Sequence, residues 1–173
     1  MTQSAMPVAA ASMSAGSLAG KYMTFRLDSE DYGLAILKVR ELIGIMDITR
    51  VPGTRNYIRG VINLRGKVIP IVDLRLKFGM GQIEPTSQTV IIVVQIASPT
   101  GPLTMGVVVD EVLEVRNIEA GQIEPAPELN AGEMADYVLG VGKIEKRVLF
   151  LLDIDRVLSP QEQLAVANTL DVA

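Results

Sequence analysis

The sequence contains no cysteine, no histidine and no tryptophan. The missing thiols exclude disulfides, thiolate metal sites and cysteine nucleophiles, and they suit a reducing compartment without requiring one. The missing imidazoles remove the usual general base, the commonest metal ligand and the phospho-acceptor of a histidine kinase. A carboxylate or lysine enzyme stays open. Aromatic residues are scarce, at 4%, so the core has to be aliphatic. No apolar run is long enough to span a bilayer; the longest candidate, Val90 to Val94, is strand-sized. The first twenty residues hold no charged side chain, and they lack the basic start of a secretory signal. Residues 1–20 therefore read as a disordered leader. Their uncharged Ala/Ser/Gly composition buries too little surface to offset ordering entropy, so deletion of residues 2–19 is expected to be tolerated. Together these absences lead to the expectation of a cytoplasmic chain with no catalytic residues, no metal, no cofactor and no direct membrane insertion.

What is present points to strands. The 173 residues are 49% hydrophobic, enough for one domain or one built from two fused halves. Val and Ile dominate the middle and C-terminal stretches, which favours β-structure. Met23, Phe25 and Leu27 alternate with Tyr22, Thr24 and Arg26, the period of a half-buried strand. Asp28 to Asp31 reads as a turn and Tyr32 to Ile36 as the returning strand. Val39 to Ile48 is a further apolar stretch, broken at Gly44. Pro52-Gly53 marks a turn, and a short helix is expected over Thr54 to Ile58, ended by Gly60. Val61 to Leu64 and Val68 to Val72 flank Arg65-Gly66-Lys67 as a hairpin, with Pro70 expected at an edge or bulge because it cannot donate to a ladder. Gly79 to Pro85 reads as a linker. Then come strands over Val90 to Ile96 and Leu103 to Val109, the stretch Glu111 to Ile118, an irregular segment with Pro125 and Pro127, and strands over Val138 to Val141 and Val148 to Ile154. Ser159-Pro160-Gln161-Glu162 has the form of a capping box opening a C-terminal helix.

The order of elements repeats. A shift of eighty residues carries Ile58, Gly60, Val61, Val68, Ile69, Asp73 and Leu74 onto Val138, Gly140, Val141, Val148, Leu149, Asp153 and Ile154 without a gap. Gly33 and Gly106 open a similar run at another offset. A duplication follows, each half a small barrel of about five short strands, closed so that no edge is exposed. The halves are placed at 21–81 and 82–158, with a leader at 1–20 and a helical tail at 159–173.

Motifs for chemistry are weak. Gly140-Val141-Gly142-Lys143 has some likeness to a phosphate loop but lacks the glycine spacing and the hydroxyl residue after the lysine, and it reads as a turn. Asp73 and Asp153 occupy equivalent places, which suits strand-end residues capping local amides better than a carboxylate pair. Charge is divided: residues 21–81 carry 11 basic and 6 acidic side chains, net +5, and residues 82–173 carry 5 and 14, net −9. Such a split favours head-to-tail contacts with similar modules, although plain solvation accounts for it as well. Few aromatics are available to stack on bases and no reading motif is present, so nucleic acid is not an expected partner. The two halves differ at the hairpin, Asn63-Leu64-Arg65-Gly66-Lys67 against Lys143-Ile144-Glu145-Lys146-Arg147. Gly66 suits a positive φ; Arg65 has no equally simple structural purpose, and a solvated arginine remains the plain alternative.

Gly60-Val61-Ile62-Asn63-Leu64-Arg65-Gly66, followed by Val68 to Arg75, resembles the signature of the CheW family of chemotaxis coupling proteins. The entry Tyr22 to Leu27, then Tyr32-Gly33-Leu34 and Ile36 to Glu41, resembles it too. The likeness runs from about Lys21 to Leu158, which would together form one CheW-like domain. It implies a mainly β fold of two intertwined five-stranded SH3-like barrels with a short C-terminal helix. It implies a non-catalytic adaptor, cytoplasmic and recruited to receptor arrays. Its partners would be the regulatory domain of a CheA-type histidine kinase, the cytoplasmic tip of methyl-accepting chemoreceptors, and other CheW-like modules in rings. The coupling positions carried over are Val39, Glu41, Gly60, Asn63, Leu64, Arg65 and Gly66, with Val39 and Gly60 facing the receptor and Glu41 and Arg65 as a sensitive charged pair. The competing reading is a small β-barrel that binds a ligand or nucleic acid.

Overall fold

A computed structural model describes residues 18–125 and 137–169. Its strands are β1 (Gly20–Leu27), β2 (Glu30–Ala35), β3 (Val39–Gly44), β4 (Ile58–Leu64), β5 (Lys67–Asp73), β6 (Val90–Ile96), β7 (Leu103–Val109), β8 (Glu111–Ile118), β9 (Ile123–Pro125), β10 (Val138–Ile144) and β11 (Arg147–Leu152). Helix α1 (Leu74–Lys77) is a single turn, and α2 (Pro160–Thr169) closes the described chain.

Two sheets form, ordered β8-β1-β2-β11-β10-β9 and β3-β6-β7-β5-β4. The first combines the chain's outer strands and is called here the terminal barrel; the second is the central barrel. They do not coincide with residues 21–81 and 82–158. β1 and β2 leave their own half to pair with β11, and β6 and β7 leave theirs to pair with β3 and β5. The SH3-like barrels are thus intertwined, as the fold class requires. The terminal sheet has a sixth short strand, β9, which pairs Glu124 with Val141; in the central sheet a lone bridge from Thr49 to Val61 takes that place.

The eighty-residue repeat is a repeat of structure. Gly60 pairs with Ile71 and Gly140 with Leu151, each just after a register shift in its hairpin. The Asp73 and Asp153 amides donate to the carbonyls of Tyr57 and Tyr137 at 2.7 and 2.8 Å. Gly106 lies opposite Ile71 and Gly33 opposite Leu151 in the two parallel ladders.

Three apolar cores result. One fills the terminal barrel around Tyr22, Ile118, Ile144, Leu149 and Leu151. A second fills the central barrel around Ile62, Ile69, Ile71, Ile91 and Val93. The largest lies between them, where Phe25, Leu27, Tyr32 and Leu34 meet Ile92, Val94, Met105 and Val107. The inner strands β1, β2, β6 and β7 therefore bury both faces, while the edge strands β3 and β8 keep one face open. This corrects the reading of β1 as half-buried: Tyr22 and Thr24 are as enclosed as Phe25.

Other expectations also change. No helix forms over Thr54–Ile58; the Ile58 amide closes only a single turn onto the Arg55 carbonyl at 3.0 Å, the Tyr57 carbonyl is taken by the Asp73 amide, and Ile58 already begins β4. Gly140 to Lys143 lies inside β10 and is not a turn. Pro70 is buried within β5, at a point the parallel ladder to β7 does not reach, since that ladder runs only from Ile71 to Asp73. Its missing donor therefore costs no ladder bond. Pro127 and leader residues 1–17 lie outside the described residues. Leu18, assigned to the leader, is 4% exposed in the terminal core, and its carbonyl accepts from the Tyr22 hydroxyl at 2.6 Å. A deletion of residues 2–19 therefore removes part of the core.

The capping box at α2 is formed. The Ser159 amide donates to Glu162 at 2.8 Å and the Glu162 amide to the Ser159 hydroxyl at 3.1 Å. The Glu162 carboxylate also accepts from Lys77 Nζ at 2.8 Å and from the Tyr57 hydroxyl at 2.6 Å. Burial alone would raise its pKa, but the hydrogen bonds from Lys77, Tyr57 and the Ser159 amide outweigh burial and hold it at about 2.

Two outcomes follow. Leu18→Ala should lower unfolding free energy by about 2–4 kcal/mol, read by urea denaturation. Glu162 is depressed in the folded state, so its contribution is full above its ordinary value of 4.5 and is lost as pH falls towards about 2. That loss should amount to about 2–3 kcal/mol, and Glu162→Gln should flatten this part of the stability–pH curve relative to wild type.

Candidate functional site

The hairpin between β4 and β5 is closed by the pair Leu64–Lys67, leaving Arg65 and Gly66 as a two-residue turn. Both have positive φ, 53° and 85°, the backbone form whose twist matches antiparallel strands. Gly66 adopts it freely, and its amide donates to Asn63 Oδ1 at 2.8 Å. Asn63 and Gly66 thus build the turn, while Leu64 packs against the central core. Arg65 is left projecting from the tip.

The Arg65 guanidinium donates to the Glu41 carboxylate. Glu41 sits on β3 and Arg65 beyond β4, and these strands are the two edges of the central sheet. The ion pair therefore ties the barrel across its mouth. Arg65 is 68% exposed and Glu41 33%, so solvent screens the pair and it contributes only about 0–1 kcal/mol. Glu41 is aimed by a bulge: pairing with β6 shifts between Val39 and Glu41, which sends Val39 to the shared core and Ile43 to the central core.

Gly60 lies apart from this surface. It is buried, its φ is 137°, and a Cβ there would collide with the Thr49 carbonyl and stand 3.0 Å from Arg50 Cα. It permits the close approach in which Thr49 and Val61 exchange backbone hydrogen bonds of 2.8 and 2.9 Å. Of the seven candidate positions, Glu41 and Arg65 meet, Asn63 and Gly66 support them, Val39 lies two residues away on the same strand, and Gly60 and Leu64 serve packing.

The second barrel lacks this tie. Register equates Thr24 with Val93, Val115 with Leu42 and Val112 with Val39, so Glu114 is the counterpart of Glu41. The counterpart of Arg65 is Glu145, at φ 57°. Two carboxylates cannot bridge, and Glu114 instead lies 3.7 Å from Arg116. The terminal mouth is held from within by Asp31, which accepts from Arg26 at 3.1 Å and Arg147 at 2.7 Å. Burial would raise the Asp31 pKa, but the two guanidinium groups outweigh it and hold it below the usual carboxylate range.

Asp73 and Asp153 are caps. Asp73 accepts from the amides of Arg75 and Leu76 and from Arg59 at 2.9 Å, and Asp153 accepts from the Asp155 amide at 3.1 Å. The charge division survives the exchange of strands. Residues 36–110, which build the central barrel, carry 9 basic and 5 acidic side chains; residues 20–35 and 111–152 carry 6 and 11. Sequence reading passed over Lys77 and Tyr57, which hold Glu162. The eighty-residue shift contained a signal, since it places Lys77 on Val157.

Fold and site together define the class: a double SH3-like β module whose distinguishing chemistry is one exposed ion pair across one barrel mouth. The CheW-like domain pattern matches residues 21–162. The chain is 40% identical to the chemotaxis protein CheW of Klebsiella aerogenes over 93% of its own length and 95% of that protein. It is 32% identical to the chemotaxis protein CheW of Bacillus subtilis, over 82% and 88%. The crystal structure of the scaffolding protein TtCheW from Thermoanaerobacter tengcongensis superposes with a TM-score of 0.74 at 33% identity, covering 83% of this chain and 97% of that one. The chain belongs to the CheW family. Nothing in these relatives favours a ligand- or nucleic-acid-binding barrel. Among the described residues no helix is long and apolar enough to cross a membrane.

The contrast between Gly60 and Arg65 is testable by thermal melting. Gly60→Ala should destabilise by about 2–4 kcal/mol, because strained backbone and a backbone clash add. Arg65→Ala should stay within about 0.5 kcal/mol of wild type.

Proposed function

We propose that this protein is a non-catalytic chemotaxis adaptor that couples chemoreceptor cytoplasmic tips to the regulatory domain of a CheA-type histidine kinase. Other CheW-like modules are its further neighbours in the array. Family membership supports the adaptor role, and a name of scaffolding protein on a relative of the same fold agrees with it. The observation that carries the site is the ion pair between Glu41 and Arg65, present across one barrel mouth and replaced by two carboxylates in the repeat. A fold built twice does not need that pair, and its exposure makes it worth little to stability. Its value then lies in geometry. A guanidinium fork grips a carboxylate in a fixed orientation that lysine does not reproduce, and here it fixes the hairpin tip relative to β3. Val39, two residues before Glu41 on β3, packs towards the shared core and anchors that strand, and Asn63 and Gly66 hold the tip in shape. Gly60 acts on it indirectly, by holding the strand that leads to the hairpin.

A reconstituted assay of receptor-dependent kinase activation tests this reading. Arg65→Ala should lose most of the coupled activity while melting like wild type. Glu41→Ala should show a similar loss, and the double variant should be little worse than either, because the pair acts as a unit. Normal coupling in Arg65→Ala would refute the assignment, and gross unfolding of that variant would make the arginine structural.

A further inference from the structure

We propose that Lys77 and Glu162 are positioning residues that set the orientation of the two barrels, with α2 as the strap that delivers the carboxylate. This goes beyond the adaptor reading and does not depend on it. Lys77 is 7% exposed at its side chain and lies 2.8 Å from Glu162. Its ammonium stands over the Tyr57 ring at 4.8 Å and the Tyr137 ring at 5.6 Å. These tyrosines are repeat equivalents. Tyr57 leads into β4 of the central barrel and Tyr137 into β10 of the terminal barrel, so one cation is held by groups from both. The helix that supplies Glu162 is itself anchored: Gln163 Nε2 donates to the carbonyls of Asp155 and Leu158 at 2.9 and 3.2 Å, and Val166 is buried in the shared core.

A contribution to stability does not explain this pair. The repeat places Val157 at the position of Lys77, fully buried in the same shared core. The fold therefore accepts an apolar side chain there, and a buried ion pair is commonly no more stabilising than well-packed apolar residues of similar volume. What an apolar contact lacks is direction. The ammonium between two rings and one carboxylate has a single arrangement that satisfies it, and that arrangement exists only when both barrels and α2 are in one relation. Apolar side chains at the same seam are close-packed but impose no directional requirement on a charge.

The chain has no cysteine, so spin labels can be placed without background. Leu42→Cys and Val115→Cys put one label on each barrel at equivalent positions, 42% and 47% exposed. Double electron–electron resonance then reads the distance distribution between barrels. In the Lys77→Met/Glu162→Gln background, which keeps an acceptor for the Ser159 amide and the Tyr57 hydroxyl, the melting temperature should stay close to that of the parent, while the distribution broadens and its mean shifts beyond the spread of label rotamers. A distribution identical to that of the labelled parent would overturn the proposal. If that double variant does not fold, Glu162→Gln, which keeps side-chain volume and an acceptor for the Tyr57 hydroxyl, should broaden the distribution in the same way; an unchanged one would again overturn it. Amide exchange run alongside should find both barrel cores as protected as in the parent. Broadening accompanied by lost protection within one barrel would assign the effect to local unfolding and overturn the proposal as well.

Discussion

Phe25, Leu27, Tyr32 and Leu34 from one sheet press against Ile92, Val94, Met105 and Val107 from the other, and the rest of the molecule depends on this contact. A barrel of five short strands has too little interior to be stable by itself with any margin. Here each barrel keeps a small core of its own and shares a third with its neighbour. Strand exchange makes that possible, because the hairpin of β1 and β2 and the hairpin of β6 and β7 each serve as a wall of one barrel and a face of the seam. Aliphatic side chains suffice for such layers, which is why a chain so poor in aromatics can be so fully packed. The aromatics it has are concentrated at the seam, where Phe25 and Tyr32 stack with centroids 5.7 Å apart and Phe78 and Tyr137 do the same at 5.7 Å.

Against this near-symmetric frame the departures from symmetry carry the information. Two barrels of one design need the same strand registers, the same glycine at the bulge and the same aspartate at the strand end, and they have them. They do not need an arginine at one hairpin tip and a glutamate at the other, or a lysine at the seam in one copy and a valine in the other. The first difference creates an exposed ion pair across the central mouth. The second creates a buried ion pair that meets the C-terminal helix. The first is small in energy, the second is no more stabilising than well-packed apolar residues would be, and both are specific in geometry, which is the kind of contribution suited to a protein that presents surfaces in a fixed relation.

Much of the local structure was legible in the order of residues. The hairpin at Arg65-Gly66 and the capping box at Ser159 depend on neighbours within a few positions, and the eighty-residue repeat is a direct comparison of the chain with itself. Where reading failed, a distant partner had intervened. The stretch at Thr54–Ile58 has a plausible local helix signal, but the Asp73 amide, sixteen residues on, takes the Tyr57 carbonyl and Ile58 is drawn into β4. The alternation of β1 looks amphipathic, yet Thr24 is enclosed, its hydroxyl donating to the Glu114 carbonyl ninety residues away. Leu18 looked like part of a featureless leader because nothing adjacent to it marks it for the core.

By itself, then, the sequence determined most of the strands, the hairpin turn at Arg65-Gly66, the duplication and the lack of thiol and imidazole groups, since each of these is set by composition or by contacts over a few residues. It also contained, through resemblance, the family and the pairing of Glu41 with Arg65. Only the tertiary structure decided which strands exchange, that Gly60 is a packing glycine, that Glu114 is the silent counterpart of Glu41, and that Lys77 finds Glu162. Those facts rest on contacts between residues tens of positions apart, and no local periodicity encodes them, because burial on both faces of a strand is a property of the sheets that meet there rather than of the strand.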